Sequence, residues 1–385
     1  MRTSRDLKLV ELSREQFPLT WRVLQEGLSE QVAPGMVAGL WQASDPSRIQ
    51  VAAIGERRIL PSPQPMLPET IFDLASVTKI FATASLAAVL VERGWIRWDQ
   101  PLKSLLPDYS QKEIRLDHLL SHTSGLPDWA PLWEKMRQHF GTDDLYGISI
   151  SDRQTQMRKL ASEVKPVARP SERTNYSDIG FMLLGFALEE ATKMPLDQAV
   201  ATLVWEPMGL QGAFFRRIQK KAGDDLMESA AATEQCPWRK AILQGQVHDD
   251  NCWSMGGYAA HAGAFAGVRD VLHFAASLMR VRFLTRDTLR TMWTRVLRPA
   301  GCERTLGWDT PSNEGSSAGR FFPPLGTVGH LGFTGTSLWM DLEARIAVTL
   351  LSNRVHPTRE NAKFKPYRAR FHEALRKDLN PRLPA

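Results

Sequence analysis

Residues 72–93 form the most apolar helical stretch of the sequence, and they constrain its fold more than any other feature. Wound at 3.6 residues per turn, Ile80, Phe81, Leu86, Val89, Leu90 and Val91 leave almost no polar face. A helix that is apolar nearly all round is a buried one. No run of about 18 apolar residues occurs in a row, so no membrane-spanning helix is expected. The stretch therefore predicts a helix at the centre of a core, with Gly94 where a C-terminal cap belongs.

A chain of 385 residues suggests two or three structural units at about 100–200 residues each. Before the buried helix, residues 16–29 predict an amphipathic helix, with Phe17, Trp21, Val23, Leu24 and Leu28 as candidate core contacts. Residues 36–42 and 49–54 predict a hairpin. Helices are expected at 117–120, 178–192, 270–280 and 287–294, the last capped by Thr285. Residues 326–333, 337–341 and 345–351 predict three strands, and 366–379 a terminal helix. Strands at both ends with helices between predict an α+β fold: an antiparallel sheet flanked by helices, with a helical domain inserted. The expected division is 1–82 with 265–385 as one domain and 83–264 as the inserted one, the active site lying between them.

The formal charge of +6 comes without a groove-reading motif, so a nucleic-acid partner is not expected. The densest basic patch, Arg216-Arg217 with Lys220-Lys221, reads as a solvated helix end or loop. Three widely spaced cysteines, Cys236, Cys252 and Cys302, form neither a disulfide framework nor a zinc pattern. No signal-like segment is seen near Met1, and the chain reads as cytoplasmic with no membrane partner. No cofactor and no metal is expected.

The buried helix opens on Ser76-Val77-Thr78-Lys79. Positions i and i+3 share a helix face, so hydroxyl and amine can meet. A serine hydroxyl needs a base to become a nucleophile, and a lysine serves if burial leaves it neutral. The helix N-terminus offers amides and a positive dipole end to a developing oxyanion.

Further motifs follow in order: Leu119-Leu120-Ser121-His122-Thr123-Ser124-Gly125-Leu126-Pro127, then Tyr176-Ser177-Asp178 and Leu183-Leu184-Gly185. Next come Val247-His248-Asp249-Asp250-Asn251 with Gly256-Gly257 and His261-Ala262-Gly263, and last Gly329-His330-Leu331-Gly332-Phe333-Thr334-Gly335. This series resembles the serine β-lactamase and penicillin-binding-protein superfamily, in its class C and esterase-like branch, over residues 35–353. The resemblance implies a β-lactamase/transpeptidase-like fold and a serine hydrolase. It implies Ser76 as nucleophile, Lys79 and Tyr176 sharing the proton transfers, and the backbone amides of Ser76 and Phe333 as oxyanion hole. Asp178, His330 and Gly332 are implied to face the substrate.

Two departures matter. Asp178 stands where the family often has asparagine. As a carboxylate it can only accept hydrogen bonds, and pairing with Lys79 would hold that lysine protonated and shift the base role to Tyr176. His330 stands where β-lactamases have a lysine that helps bind a carboxylate, and Leu331 removes the hydroxyl that follows it. Both favour a neutral acyl substrate, an ester or simple amide. The alternatives are a D-Ala-type carboxypeptidase or D-aminopeptidase on wall-related peptides, with a β-lactamase ranked lower. A non-catalytic binding or sensing protein is the alternative of another class.

His122 and His261 read as structural, and His248-Asp249-Asp250 as hydrogen-bonded structure rather than a metal site. Trp95, Trp98, Trp129 and Trp133 read as packing, with an acyl pocket as the other possibility. The loops expected to shape the pocket are 132–151 and 216–237.

Overall fold

The computed structural model describes residues 6–221 and 226–383. Part of the loop at 216–237 thus lies outside the described residues. The two chain ends build one seven-stranded sheet. In spatial order its strands are Lys8–Glu11, Arg48–Arg58, Gly35–Gln42, Ile346–Ser352, Ser337–Asp341 and Thr327–Leu331, with Gln64–Pro65 paired onto Arg48–Arg58. The central seam joins the ends directly, with Leu350 opposite Ala38 and Val348 opposite Leu40.

The sheet is mixed, not purely antiparallel. Lys8–Glu11 runs parallel to Arg48–Arg58, which the charged N-terminal sequence did not announce. A parallel pair needs a long crossover, and here the helix Pro18–Ser29 and the strand Gly35–Gln42 intervene.

Both sheet faces are covered. The helices Pro18–Ser29 and Phe364–Leu379 close one face, where Trp21, Leu24, Phe371 and Leu375 meet Leu40, Val348 and Leu350. The helix Val268–Met279 closes the other, where Val37, Trp41 and Leu351 join the core around Ile80, Phe81 and Leu86.

The buried helix differs in detail from its expected form. Phe72–Asp73 is a short strand paired with Ala264–Ala266. Helical structure then runs from Ala75 to Glu92 in three pieces: a 3₁₀ turn at Ala75–Val77, π-helical turns at Lys79–Ala84 and an α-helix at Ser85–Glu92. Ser85 Oγ donates to the Ile80 carbonyl (2.7 Å) and Thr83 Oγ1 to the Ala260 carbonyl (2.7 Å). The Ser85 hydroxyl, bonding back onto the ladder, favours such a widened turn, while Thr83 ties the helix to the segment of Ala260. The segment is apolar enough to cross a membrane, but 83% of it is buried in the protein. Gly94 follows the helix with a φ of +69°, as a terminal cap requires.

Residues 132–151 are not a plain loop. They hold the helix Leu132–Phe140, anchored by buried Leu132 and Met136 and stopped by left-handed Gly141. The helix Ile150–Glu163 went unread because it is polar over most of its surface and buries only Arg153, Met157 and Ala161. The basic patch is tied down: Arg216 donates to the Gly245 carbonyl (3.0 Å), Arg217 pairs with Asp197 (2.7 Å) and Lys221 with Asp144 (3.7 Å). All three cysteines are free and buried.

Candidate active site

Ser76 sits on the turn between the short strand Phe72–Asp73 and the buried helix. Ala75 just before it has a φ of +46°, a strained value for a residue with a Cβ. Asp73 braces this turn. Its carboxylate accepts the amides of Ala75 (2.9 Å) and His248 (2.7 Å). Burial raises the Asp73 pKa, and these two amides offset only part of that effect.

One turn on, Lys79 is fully buried. Its Nζ donates to Ser76 Oγ (2.9 Å), Asp178 Oδ1 (2.7 Å) and the His261 carbonyl (3.1 Å). An unpaired ammonium there would cost about 3–5 kcal/mol. Burial favours the neutral amine, but the Asp178 carboxylate and Tyr176 outweigh it and raise the Lys79 pKa. Lys79 is therefore an ammonium in the resting site. Of the two states that the sequence leaves open, the Asp178 pairing favours the protonated lysine.

Tyr176 is half-buried, and its phenol lies close enough to Lys79 and Ser76 for both to pull its pKa down. The Lys79 ammonium lies 4.7 Å from its ring centre. Burial raises the phenol pKa, Lys79 lowers it, and burial wins. Since Lys79 Nζ donates to Ser76 Oγ, the serine's own proton is free to point at the phenol oxygen.

The helix Asp178–Thr192 starts beside Tyr176, with Ser177 Oγ capping it at the Gly180 amide (3.0 Å). The segment 175–178 lies in the loop 121–128. Asn175 Nδ2 donates to the Leu126 carbonyl (2.7 Å), Ser177 Oγ to the Pro127 carbonyl (2.6 Å) and the Asp178 amide to the Asp128 carbonyl (2.8 Å).

The strand Thr327–Leu331 supplies the opposite wall. Beyond it, the Gly332 amide donates to the Thr336 carbonyl (2.7 Å), while Thr334 and Thr336 hydroxyls donate to the carbonyls of Asp73 (2.7 Å) and Leu74 (2.9 Å). The turn is thus stitched to the Ser76 turn. A Cβ on Gly332 would stand 1.9 Å from Thr336 Oγ1 and 2.5 Å from the Leu74 carbonyl. Arg368 of the terminal helix donates to the Gly332 carbonyl. In a trans peptide the following amide, that of Phe333, points the opposite way. The Phe333 side chain is 50% exposed, between the His248 ring (5.7 Å) and the Arg354 guanidinium (4.4 Å).

His330 is buried, its Nδ1 donates to the Leu331 carbonyl (2.8 Å), and its Nε2 has no hydrogen-bond partner among the described residues. Burial, helped by Lys79 and Arg304, holds its pKa well below the ordinary value. The imidazole is neutral, with Nε2 as a free acceptor.

Residues 22–372 match the sequence profile of the Beta-lactamase family. The chain belongs to the Beta-lactamase family. Members of this family are serine hydrolases with the β-lactamase fold, and the present chain is one of them. Relatives named "Putative D-alanyl-D-alanine carboxypeptidase" include one from Salmonella agona (strain SL483), 28% identical over 77% of this chain and 72% of its own. Another, from Salmonella gallinarum (strain 287/91 / NCTC 13346), is 29% identical over the same shares. Among solved structures, the hydrolase EstCE1, described as having promiscuous acyltransferase activity, superposes with a TM-score of 0.71 at 21% identity, over 94% of this chain and 98% of that one. Simvastatin synthase (LovD) from Aspergillus terreus gives 0.70 at 19% identity, over 95% and 99%.

Within this member of the Beta-lactamase family, the other singled-out residues separate. His248 approaches Glu234 (3.3 Å), Asp249 pairs with His261 (3.0 Å) and Asp250 with Arg239 (2.6 Å). These side chains diverge, and no described group of three or more such residues is placed to hold a metal. Trp133 stacks on Trp238 (4.7 Å), Trp98 packs on the core, and Trp95 and Trp129 are exposed.

Sequence reasoning missed Arg304. Its guanidinium lies 5.3 Å from the Tyr176 ring centre and pairs with Asp309 (3.3 Å). It belongs to no motif, and only the fold brings it to Tyr176.

Proposed function

We propose that this protein hydrolyses an ester or amide through an acyl-Ser76 intermediate. The observation that carries this reading is Ser76 Oγ held 2.9 Å from Lys79 Nζ with Tyr176 against both. Ser76 Oγ attacks the carbonyl carbon and gives its proton to Tyr176 as the new C–O bond forms. Lys79, kept charged by Asp178, stabilises the phenolate form of Tyr176 that accepts this proton. The amides of Ser76 and Phe333 take the oxyanion. Tyr176 returns the proton to the leaving group as the old bond breaks, and water then repeats the sequence to free the acid.

Neutral His330 and apolar Leu331 support a neutral acyl substrate. Arg304 supports a second reading, in which a peptide carboxylate is the partner of its charge, as the names of the Salmonella relatives also suggest. Arg304→Met separates the two. Under the carboxylate reading it lowers kcat/KM for a D-Ala-D-Ala peptide by about 10-fold or more and leaves p-nitrophenyl butyrate untouched, since a charge-assisted hydrogen bond contributes about 1.5–3 kcal/mol. Equal effects on both substrates sink that reading.

The hydrolase reading itself is tested by treating the wild type and Ser76→Ala with a fluorophosphonate and recording intact masses. One adduct on the wild type and none on the variant is the expected result. An unmodified wild type would favour a binding protein on the same fold.

A further inference from the structure

One residue holds the backbone on both sides of Tyr176. His122 is 1% exposed and has a φ of +57°. Its carbonyl accepts the amide of Asn175 (2.8 Å), and its Nδ1 accepts the amide of Ser177 (3.0 Å). These are the residues immediately before and after Tyr176. Its ring lies 4.4 Å from the Tyr176 ring and is stacked on Phe181 at 5.0 Å. A single buried residue thus fixes the path of the tripeptide, with its carbonyl on one side and its ring on the other, and the ring backs the phenol.

The left-handed backbone of His122 is what lets its carbonyl and its ring reach the same tripeptide. Nδ1 accepts only while unprotonated. Burial, with Arg304, Lys79 and His330 nearby, keeps the imidazole neutral. A residue that only filled space would need neither the acceptor nor the unusual φ.

We propose that His122 is a positioning residue that sets the Tyr176 phenol against Ser76 and Lys79 through its two acceptors. This rests on the reading that Tyr176 carries the serine proton.

The test measures the rate constant of Ser76 modification by a fluorophosphonate, with thermal melts to confirm folding. The proteins are the wild type, His122→Ala, His122→Asn, Tyr176→Phe and the double variant His122→Ala/Tyr176→Phe. His122→Ala is expected to slow modification about 30-fold, the scale of a misplaced catalytic group. His122→Asn keeps an acceptor near the Nδ1 position and tolerates positive φ, so it stays within about 3-fold of the wild type. In the Tyr176→Phe background, His122→Ala costs less than about 3-fold, because the two residues act as one unit.

Full additivity in the cycle, an asparagine variant as slow as the alanine one, or a folded His122→Ala at the wild-type rate each overturns the positioning role. Tyr176→Phe reacting at the wild-type rate instead overturns the assignment of proton transfer to Tyr176. The two failures are thereby told apart.

Discussion

At the scale of single residues, the site is held by one charge arrangement. Lys79 is an ammonium because Asp178 faces it at 2.7 Å, and Tyr176 stays a neutral phenol because burial outweighs the pull of that ammonium. The proton acceptor proposed for Ser76 is the ionised phenol, whose pKa lies above the ordinary value. Its population grows about tenfold for each pH unit below a tyrosine pKa of about 10. The pH profile of kcat/KM on p-nitrophenyl butyrate is therefore expected to climb from neutral to about pH 9 without a plateau. A plateau reached near neutrality would assign the base to a group of depressed pKa and reject Tyr176.

Ser76, Lys79, Tyr176 and Asp178 were singled out because their motifs, weak one by one, occur together in the order of a known family, and the fold brings the four side chains together. Arg304 and the bracing carboxylate of Asp73 were not. Their partners are fixed by packing between segments far apart in the chain, and nothing local records it.

At the scale of elements, two turns share one set of hydrogen bonds. The Ser76 turn and the turn after Thr327–Leu331 are joined through Thr334 and Thr336, and Gly332 is packed against the Leu74 carbonyl. Gly332→Ala must push these turns apart, since its Cβ has no room beside Thr336 and Leu74. The expected result is a loss in kcat of about 100-fold or more, the scale seen when an oxyanion donor is removed. Steady-state kinetics beside a thermal melt checks this, and a variant with normal kcat would show that Phe333 does not serve the oxyanion. Elements with a strong period were readable: Asp178–Thr192 and Ser337–Asp341 fall where the pattern placed them. The strand Phe72–Asp73 was hidden because its apolar residues merge with those of the helix that follows. Its pairing with Ala264–Ala266 depends on a segment that no local pattern reveals.

At the scale of the molecule, a buried charge network fastens the hairpin of Ala232–Cys236 and Ala241–Gln244 to the segment after the last strand. Arg359 pairs with Glu234 (2.5 Å) and Asp250 (3.2 Å), and Asp250 also meets Arg239 (2.6 Å). Burial would raise the Glu234 pKa, but the nearby His248 and the hydrogen-bonded Arg359 guanidinium outweigh it and hold the carboxyl near 2. A carboxyl depressed in the folded state stabilises the protein above its unfolded pKa of about 4.3 and loses that contribution as pH falls toward the folded value. Glu234→Gln is expected to destabilise the protein by about 3 kcal/mol at neutral pH, with the gap in melting temperature closing between about pH 4.3 and 2. A gap that is constant with pH would mean that the network acts by packing alone.

The central seam of the sheet has a consequence for biosynthesis. Gly35–Gln42 leaves the ribosome about 300 residues ahead of Ile346–Ser352, which pairs along its edge. At about 5–20 residues per second that edge waits on the order of tens of seconds with its amides and carbonyls unmatched. Over the same interval the nascent polypeptide lacks the wall that Thr327–Leu331 sets opposite Ser76. It is also most open then to pairing with a neighbouring chain on the same messenger.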